Sequence, residues 1–249
     1  MVTPPEPSEI RGLAEARDAV LARIAAACAR VGREPSSVTL VAVSKTVPPA
    51  RLRAAVAAGY ERLGENRVQE GEAKRPEVTG AAWELVGPLQ SNKARRALET
   101  FDRIQTVDSV TLAQRLDRLV GEVRPGGRYP VLIQVNVDRD PAKSGFQPGD
   151  VEAALEELLA LPNLEIQGLM TVGWLTATAD EARATFRELR ALSASLRARR
   201  PNLGHELSMG MTDDFEAAVE EGATIVRVGR ALFGERTHQH GDDAVDHAH

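Results

Sequence analysis

The amino-acid sequence predicts an α/β fold, a (β/α)8 TIM barrel that forms a single domain and carries an extra N-terminal helix. The first reason is that short apolar segments alternate with longer amphipathic segments eight times along the chain. The second is the length of 249 residues, which α/β barrels routinely occupy as one domain. The third is that no sequence repeat, heptad array or low-complexity linker divides the chain.

The predicted elements follow one another in a regular order. The extra helix is predicted from Glu9 to Val31, with Ser8 as its cap and Gly32 at its end. The strands are predicted near 38–44, 61–64, 82–86, 103–107, 130–137, 164–171, 205–208 and 224–228. The helices between them are predicted near 49–58, 66–75, 91–99, 109–121, 150–160, 179–199 and 212–221, with candidate caps at Ser109, Asp150 and Thr212. The barrel is thus expected over 9–236, with disordered segments at 1–8 and 237–249.

The composition excludes several classes of protein. With 43% hydrophobic residues, 27% charged residues and a formal net charge of -5, the chain is typical of a globular protein and offers no global basic field for nucleic acid. It contains no apolar stretch of transmembrane length, and residues 1–7 lack the features of a signal peptide, so we expect a cytoplasmic protein without a membrane partner. Cys28 is the only cysteine, which excludes an intrachain disulfide or a thiolate metal cluster. Four of the five histidines fall in the tail after Arg236, so no metal site is predicted.

Lys45 is the most unusual residue for its position. It ends the apolar run 38–44 in a chain that has only three other lysines against an arginine-rich background. An amine can lose its proton and attack a carbonyl, whereas a guanidinium cannot, so a lysine at the end of a strand suggests covalent chemistry. The alternative is a lysine whose stem covers a sheet edge while its amine reaches water.

Polar and glycine-rich segments follow the last two predicted strands. In a TIM barrel the loops after strands seven and eight commonly form a phosphate site, where backbone N–H groups and a helix N-terminus converge. Ser208 offers a hydroxyl donor, Gly210 and Gly229 permit close approach of an anion, and Arg230 begins the segment of a final helix. Taken singly, each segment also fits an ordinary turn between a strand and a helix.

A lysine nucleophile and a phosphate site on one rim indicate an aldehyde that carries a phosphate. Pyridoxal 5'-phosphate (PLP) is the common cofactor of that description. Arg227 lies two residues before Gly229, so both face the same side of the last strand, and an arginine there is able to hydrogen-bond the pyridine nitrogen. The alternative role for Arg227 is a structural ion pair inside the barrel.

Long motifs of this chain closely resemble those of the pyridoxal phosphate homeostasis proteins, the YggS/PROSC-like family. The similar segments run from about residue 10 to 236 and include 42–46, 64–70, 83–93, 143–145, 168–170, 207–214 and 226–234. The segment 173–175 and the tail after Arg236 depart from the family pattern.

The resemblance implies a barrel like the N-terminal domain of bacterial alanine racemase, with PLP held as a Schiff base on Lys45. By the same similarity, Ser208, Gly229 and Arg230 would hold the phosphate, Arg227 would face the ring nitrogen, and Asn66 would lie beside the cofactor. The implied function is intracellular PLP homeostasis, by storage, buffering or delivery of the cofactor to PLP-dependent apoenzymes.

Residues suited to racemisation are predicted to lie away from Lys45. Racemisation needs a proton donor and an acceptor on opposite faces of the substrate carbon, yet Tyr60, Tyr129 and His205 precede their strands and Cys28 lies on the outer helix. The acid–base groups predicted on the same rim as Lys45 show no obvious pairing; they are Glu65, Lys93, Asp108, Lys143, Asp213 and Asp214. An arginine at the ring nitrogen would also keep the pyridine unprotonated and weaken it as an electron sink.

We therefore expect a monomeric PLP carrier without dedicated catalytic turnover. Two alternatives stay open. One is a PLP-dependent amino-acid racemase whose second base comes from a partner chain, and the other is a cofactor-free Schiff-base aldolase that binds a sugar phosphate between Ser208 and Arg230. The long loop from Asp138 to Gly149 is either a lid, a partner surface or a solvated hairpin loop.

Overall fold

The computed structural model describes residues 4–173 and 179–234. Eight parallel strands close into a barrel in the order of the sequence, and the last strand pairs with the first. The strands are β1 (Thr39–Val43), β2 (Arg62–Glu65), β3 (Ala82–Leu85), β4 (Arg103–Val107), β5 (Tyr129–Gln134), β6 (Leu164–Met170), β7 (Glu206–Ser208) and β8 (Ile225–Val228). The predicted fold class and all eight predicted strands are confirmed.

Helices surround the barrel in the predicted alternation. They are α1 (Pro7–Arg30), α2 (Pro49–Ala57), α3 (Val68–Lys74), α4 (Ala94–Thr100), α5 (Val110–Val123), α6 (Pro148–Leu159), α7 (Ala179–Arg199), α8 (Phe215–Glu220) and α9 (Arg230–Phe233). Short 3-10 turns cover Pro35–Ser37, Arg75–Glu77 and Ser91–Lys93. The extra helix α1 flanks the barrel and packs against α2, α8 and α9.

The apolar core forms two layers. The larger layer lies between the strands and the helices and includes Trp83, Phe101 and Phe186, each at most 1% exposed. A smaller cluster fills the barrel interior and consists of Val41, Val86, Leu132, Met170 and Ile225. The strands are thus buried on both faces, as expected for an all-parallel sheet.

Several helix starts differ from the prediction. The first turns of α1 and α6 begin with Pro7 and Pro148, because proline suits the first helical position and needs no hydrogen-bond partner there. Ser8 and Asp150 are therefore inside their helices and are not caps. The predicted cap Ser109 is confirmed, since its hydroxyl accepts a 3.3 Å hydrogen bond from the Leu112 N–H.

Strand β5 is shorter than predicted, because its predicted end folds into the following loop. The Asn136 amide donates to the carbonyls of Asp140 and Lys143, at 2.7 and 3.2 Å. Its side-chain oxygen accepts from the Asp140 N–H at 3.1 Å. These bonds hold the start of the loop from Asp138 to Gly149 against the barrel.

Some predictions fall outside the part of the chain described above, namely those on residues 1–3 and 174–178, the predicted end of the barrel at 235–236 and the tail 237–249. Among the described helices, none is long and apolar enough to cross a membrane.

Candidate functional site

Lys45 and Gly229 lie at the carboxyl ends of two neighbouring strands. β1 pairs with β8 so that Ala42 is opposite Val228, and a Cβ placed on Gly229 would lie 3.4 Å from the Val43 carbonyl oxygen. Lys45 follows two residues after Val43 and is half-buried. The carboxyl rim of the barrel therefore brings these two predicted site residues to one place, as a TIM barrel requires of its functional groups.

Arg227 lies on β8 inside the barrel and is 4% exposed. Its guanidinium donates to the Ser208 hydroxyl at 2.6 Å and to the Thr171 carbonyl at 2.8 Å, and no described carboxylate forms an ion pair with it. Burial lowers the pKa of Arg227 to about 10, against the opposing effect of the charges on Asp214 and Glu84. Arg227 is thus a buried cation at neutral pH whose hydrogen bonds within the described residues both go to neutral acceptors.

Ser208, at the end of β7, connects Arg227 to a polar chain across the barrel. Its hydroxyl is fully buried and donates to Gln105 Oε1 at 2.6 Å while accepting from Arg227. The Gln105 amide donates to the Glu84 carboxylate. Since a hydroxyl donates a single hydrogen bond, Ser208 would have to release Gln105 in order to donate to a phosphate.

The other end of this polar chain is an ion-pair cluster. Arg103 donates to both carboxylate oxygens of Glu84, at 2.9 and 2.7 Å, and also to the Gln167 side chain at 3.1 Å. Arg62 adds a 3.0 Å contact to the same carboxylate. Hydrogen bonds therefore run through the barrel interior from β2 to β8.

The two glycines of the predicted phosphate site differ in what requires them. Gly210 has a φ of 91°, and a Cβ there would lie 2.5 Å from Ala218 Cβ, so both the backbone and the packing require glycine. Gly229 has a φ of -118°, and an added Cβ would make only ordinary contacts with Val43. The fold itself does not require glycine at position 229.

Arg230 is the first residue of α9 and is exposed on the same rim. Its guanidinium pairs with the Asp213 carboxylate, in the loop between β7 and α8. The Thr212 hydroxyl accepts a 3.4 Å hydrogen bond from the Gly229 N–H, so the two predicted phosphate segments contact one another. Thr212 is not the cap of α8; that position belongs to Asp214.

Asn66 follows β2 on the same rim and is half-buried. The loop after β3 lies against its backbone, because a Cβ on Gly87 would be 2.2 Å from the Asn66 carbonyl oxygen. The structure therefore fixes the backbone of Asn66 through this close contact, which only glycine permits.

Glu65 is not at the barrel mouth, contrary to its predicted position among the acid–base groups of the rim. It is fully buried between β2 and α3, and one carboxylate oxygen accepts from the Ser44 hydroxyl and the Lys74 amine, both at 2.7 Å. The other oxygen is buried without a hydrogen-bond partner. Burial raises the pKa of Glu65, while the charge and hydrogen bond of Lys74 act in the opposite direction.

The residues predicted to lie away from Lys45 do so. The hydroxyls of Tyr60 and Tyr129 donate to the carbonyls of Leu13 and Phe101, which lie outside the barrel mouth. His205 directly precedes β7, and Cys28 is buried on α1 as a free thiol. Elsewhere in the described chain, no cluster of three or more acidic, histidine or cysteine side chains is suited to a metal ion.

The loop from Asp138 to Gly149 is anchored at both its start and its middle. Lys143 Nζ lies 3.3 Å from both an Asp138 carboxylate oxygen and the Val172 carbonyl oxygen, and the Thr185 hydroxyl donates to Asp138. These contacts connect the loop to α7 and to the segment that follows β6.

Sequence reasoning missed Gln105 and Gln134 as polar residues of the barrel interior. Gln134, at the end of β5, is 6% exposed, and its side-chain oxygen has no hydrogen-bond partner. The available signal was a polar side chain within an apolar segment of a parallel strand, a position that normally carries an aliphatic residue.

A cleft of about 270 Å³ opens at the opposite end of the barrel. Its lining includes Arg128, Glu165, Gln167, His205 and Glu206, near the amino ends of β6 and β7. None of the predicted site residues lines it. We place the candidate site at the carboxyl rim, because that end carries Lys45 and Arg227, which forms no ion pair with any described residue.

The sequence is similar to that of known proteins over nearly its whole length. The family model described as "Alanine racemase, N-terminal domain" matches residues 17–237. The "Pyridoxal phosphate homeostasis protein" of Pseudomonas aeruginosa is 46% identical over 222 residues, which cover 87% of this chain and 93% of that protein. The protein of the same description from Escherichia coli is 39% identical over 231 residues, covering 90% and 95%.

Solved structures show the same relationship. PipY of Synechococcus elongatus, solved with PLP bound, has a TM-score of 0.75 and 46% identity, and the match covers 85% of this chain and 100% of PipY. The alanine racemase of Corynebacterium glutamicum has a TM-score of 0.67 at 16% identity, covering 91% of this chain and 62% of the racemase. At that low identity the racemase shows a shared fold alone.

Proposed function

Because this chain belongs to the family of pyridoxal phosphate homeostasis proteins, within the alanine racemase N-terminal domain family, we propose that it binds PLP at the carboxyl rim and serves PLP homeostasis. The observation that carries the proposal is Arg227, a buried cation without a carboxylate partner among the described residues. It lies on the strand that pairs with β1, which leads to Lys45. PipY, a protein of similar sequence, was solved with PLP bound.

The residues present fit the chemistry of PLP. Bound PLP supplies an aldehyde that reacts with amines, an anionic phosphate and a pyridine nitrogen able to accept a hydrogen bond. We assign Lys45 to the aldehyde and Arg227 to the nitrogen. For the phosphate we assign Ser208, Gly229 and Arg230, and we place Asn66 beside the ring.

Lys45 is proposed to hold PLP as a Schiff base. The neutral amine adds to the aldehyde carbon, and the aldehyde oxygen leaves as water, so neither an oxidant nor a reductant is consumed. A second amine, on a recipient apoenzyme, is able to displace Lys45 by the same exchange. The linkage is therefore covalent but reversible, as storage or delivery requires.

Arg227 favours binding over turnover. At neutral pH its guanidinium carries a proton on every nitrogen and donates, so it stabilises an unprotonated pyridine nitrogen. A neutral ring withdraws electrons weakly and stabilises a carbanion poorly. Tyr60, Tyr129 and His205 lie away from Lys45, which further supports a carrier without dedicated turnover.

We further propose that the protein acts as a monomer in the cytoplasm and passes PLP to PLP-dependent apoenzymes. Cys28 is a buried free thiol, which is compatible with a reducing compartment.

Titration of the full-length protein with PLP tests the proposal. We expect a visible absorbance band typical of a Schiff base that saturates at one PLP per chain. The saturated protein should then be incubated with L-alanine and, separately, D-alanine, followed by chiral analysis. If neither enantiomer is converted into the other, the carrier is supported, whereas conversion at ordinary enzymatic rates would establish a racemase. A protein that stays colourless in the presence of PLP would contradict PLP binding.

A further inference from the structure

Both peptide groups that flank Lys45 are held by charged side chains of α3. The carbonyl of Ser44, which precedes Lys45, accepts a 3.0 Å hydrogen bond from Lys74 Nζ. The N–H of Thr46, which follows Lys45, donates to a Glu70 carboxylate oxygen at 3.3 Å. Glu70 and Lys74 are four residues apart on one helix and contact each other at 3.4 Å.

Glu65 anchors this arrangement from the sheet side. Its fully buried carboxylate accepts from Lys74 and from the Ser44 hydroxyl, both at 2.7 Å. Lys74 is only 8% exposed, so its charge is neutralised largely by Glu65 rather than by solvent. The ammonium is thus fixed in position, and with it the Ser44 carbonyl.

Thr46 shows why the turn needs this support. Its φ is 66°, in the left-handed region that β-branched residues strongly avoid. Such a conformation persists only when its surroundings hold it, and it is concentrated at functional sites. The strained residue here directly follows the lysine that is proposed to bind the cofactor.

We propose that Glu65, Glu70 and Lys74 are positioning residues for Lys45. They form a clamp that fixes the backbone on both sides of Lys45, so that its amine projects from a rigid turn. This inference rests on the proposed function, because the clamp serves the reaction of Lys45 with an aldehyde. A nucleophile that is held rigidly loses less conformational entropy when it reaches the reactive geometry, so it reacts faster.

Substitution of Glu70 tests the clamp with little risk to the fold, since its side chain is 29% exposed. Glu70→Ala removes the acceptor of the Thr46 N–H, whereas Glu70→Gln retains an acceptor oxygen. Glu72→Ala is the matched control, because Glu72 lies on the same helix but pairs with Arg96, away from Lys45. Lys74→Met removes the bond to Ser44, and the Glu65→Met/Lys74→Met double variant avoids leaving a buried carboxylate unpaired.

The readouts are the rate of borohydride trapping of PLP on Lys45, located by peptide mass mapping, and the apparent dissociation constant from the absorbance titration. We expect Glu70→Ala to lower the trapping rate and to raise the apparent dissociation constant, each by about tenfold, as for loss of one charge-assisted hydrogen bond. The thermal midpoint of the PLP-free Glu70→Ala protein should stay close to that of Glu72→Ala. Glu70→Gln should largely restore trapping. The double variant should trap slowly even where it is stably folded.

Two results would overturn the inference in distinguishable ways. If PLP is trapped on Lys45 in the wild type, and Glu70→Ala and the double variant are trapped at the same rate, the clamp is refuted and the proposed function stands. Wild-type protein that is never trapped, or is trapped on another lysine, refutes the proposed function and the clamp with it.

Discussion

Two buried arginines of the barrel interior, Arg103 and Arg227, have opposite surroundings. Arg103 is 8% exposed and forms a two-pronged ion pair with Glu84. Arg227 is 4% exposed, and its hydrogen bonds go to a hydroxyl and a backbone carbonyl. A buried charge normally requires an opposite charge beside it, so Arg227 is the exception.

We propose that this difference separates a structural arginine from one that binds a ligand. At the amino end of the barrel, Arg103 and Glu84 neutralise each other and close that end of the polar chain. At the carboxyl end, Arg227 forms no ion pair within the described part of the chain, and we propose that its positive charge serves to bind a ligand. Lys45 lies at this same end, which we propose to be the end of the barrel that binds PLP.

Removal of Arg103 should have the largest effect on stability. Among the residues that the structure describes, Arg103→Met leaves the fully buried Glu84 carboxylate with only the partly exposed Arg62 as a cationic partner. We expect the free energy of unfolding to fall by about 3–5 kcal/mol, the usual effect of breaking a buried ion pair. Urea unfolding followed by circular dichroism measures it, and an effect below about 1 kcal/mol would contradict the structural role.

Removal of Arg227 should change stability little and PLP affinity strongly, the reverse of what we expect for a structural arginine. Arg227→Met removes a buried cation together with two hydrogen bonds, so we expect the stability of the PLP-free protein to change by less than about 1 kcal/mol. The apparent affinity for PLP should fall at least about tenfold, because the ring nitrogen loses its donor. The same unfolding assay and the absorbance titration test both parts. A large loss of stability with unchanged PLP affinity would make Arg227 equivalent to Arg103.

Gly210 and Gly229 on the carboxyl rim allow the same comparison between a structural and a ligand-binding residue, with smaller expected changes in stability. Gly210→Ala forces an alanine into a left-handed backbone conformation and places its Cβ 2.5 Å from Ala218 Cβ, so we expect about 1–3 kcal/mol of destabilisation. Gly229→Ala should leave stability nearly unchanged, because the fold does not require glycine there, and should weaken PLP binding, because we propose that the phosphate approaches this backbone closely. Thermal unfolding and PLP titration of both variants would refute this division if Gly229→Ala unfolds as early as Gly210→Ala.

Asp214 should show the smallest effect, as a dependence on pH. Burial raises the pKa of Asp214 above its ordinary value of 3.8. The folded protein therefore loses stability as the pH rises from the unfolded-state pKa of Asp214 through its higher folded-state pKa. Asp214→Asn removes this loss and retains an oxygen for the Met211 N–H, which Asp214 accepts at 2.5 Å. Urea unfolding at pH 4 and pH 7 should show a stability advantage of the variant that is larger at pH 7; an advantage that shrinks towards pH 7 would contradict the assignment.

The sequence predicted the fold and the rim positions because both follow from local patterns. Alternation of apolar and amphipathic segments locates the strands, and position within a strand places Lys45 and Arg227 at one end. The same rule applied to β2 indicates that Glu65 faces the opposite side from Gly64, which sequence reasoning overlooked. The contact between Ser208 and Gln105 was beyond reach, because residues 103 positions apart meet only through the register of the closed barrel.

The start of α8 shows a similar limit. The spacing of Asp213 and Glu216 resembles a capping box, yet these residues pair with Arg230 and Arg23, which lie on α9 and α1. Tertiary partners that a local pattern cannot reveal thus decide the roles of both carboxylates.

The central claim is that Lys45 is the residue that holds PLP. Borohydride trapping of full-length wild type beside Lys45→Ala, with the modified peptide identified by mass spectrometry, tests it most directly. The account predicts one PLP on the peptide that contains Lys45 in the wild type, and neither trapping nor the visible band in a folded Lys45→Ala variant. Equal trapping in that variant, on Lys93 or Lys143, would contradict it.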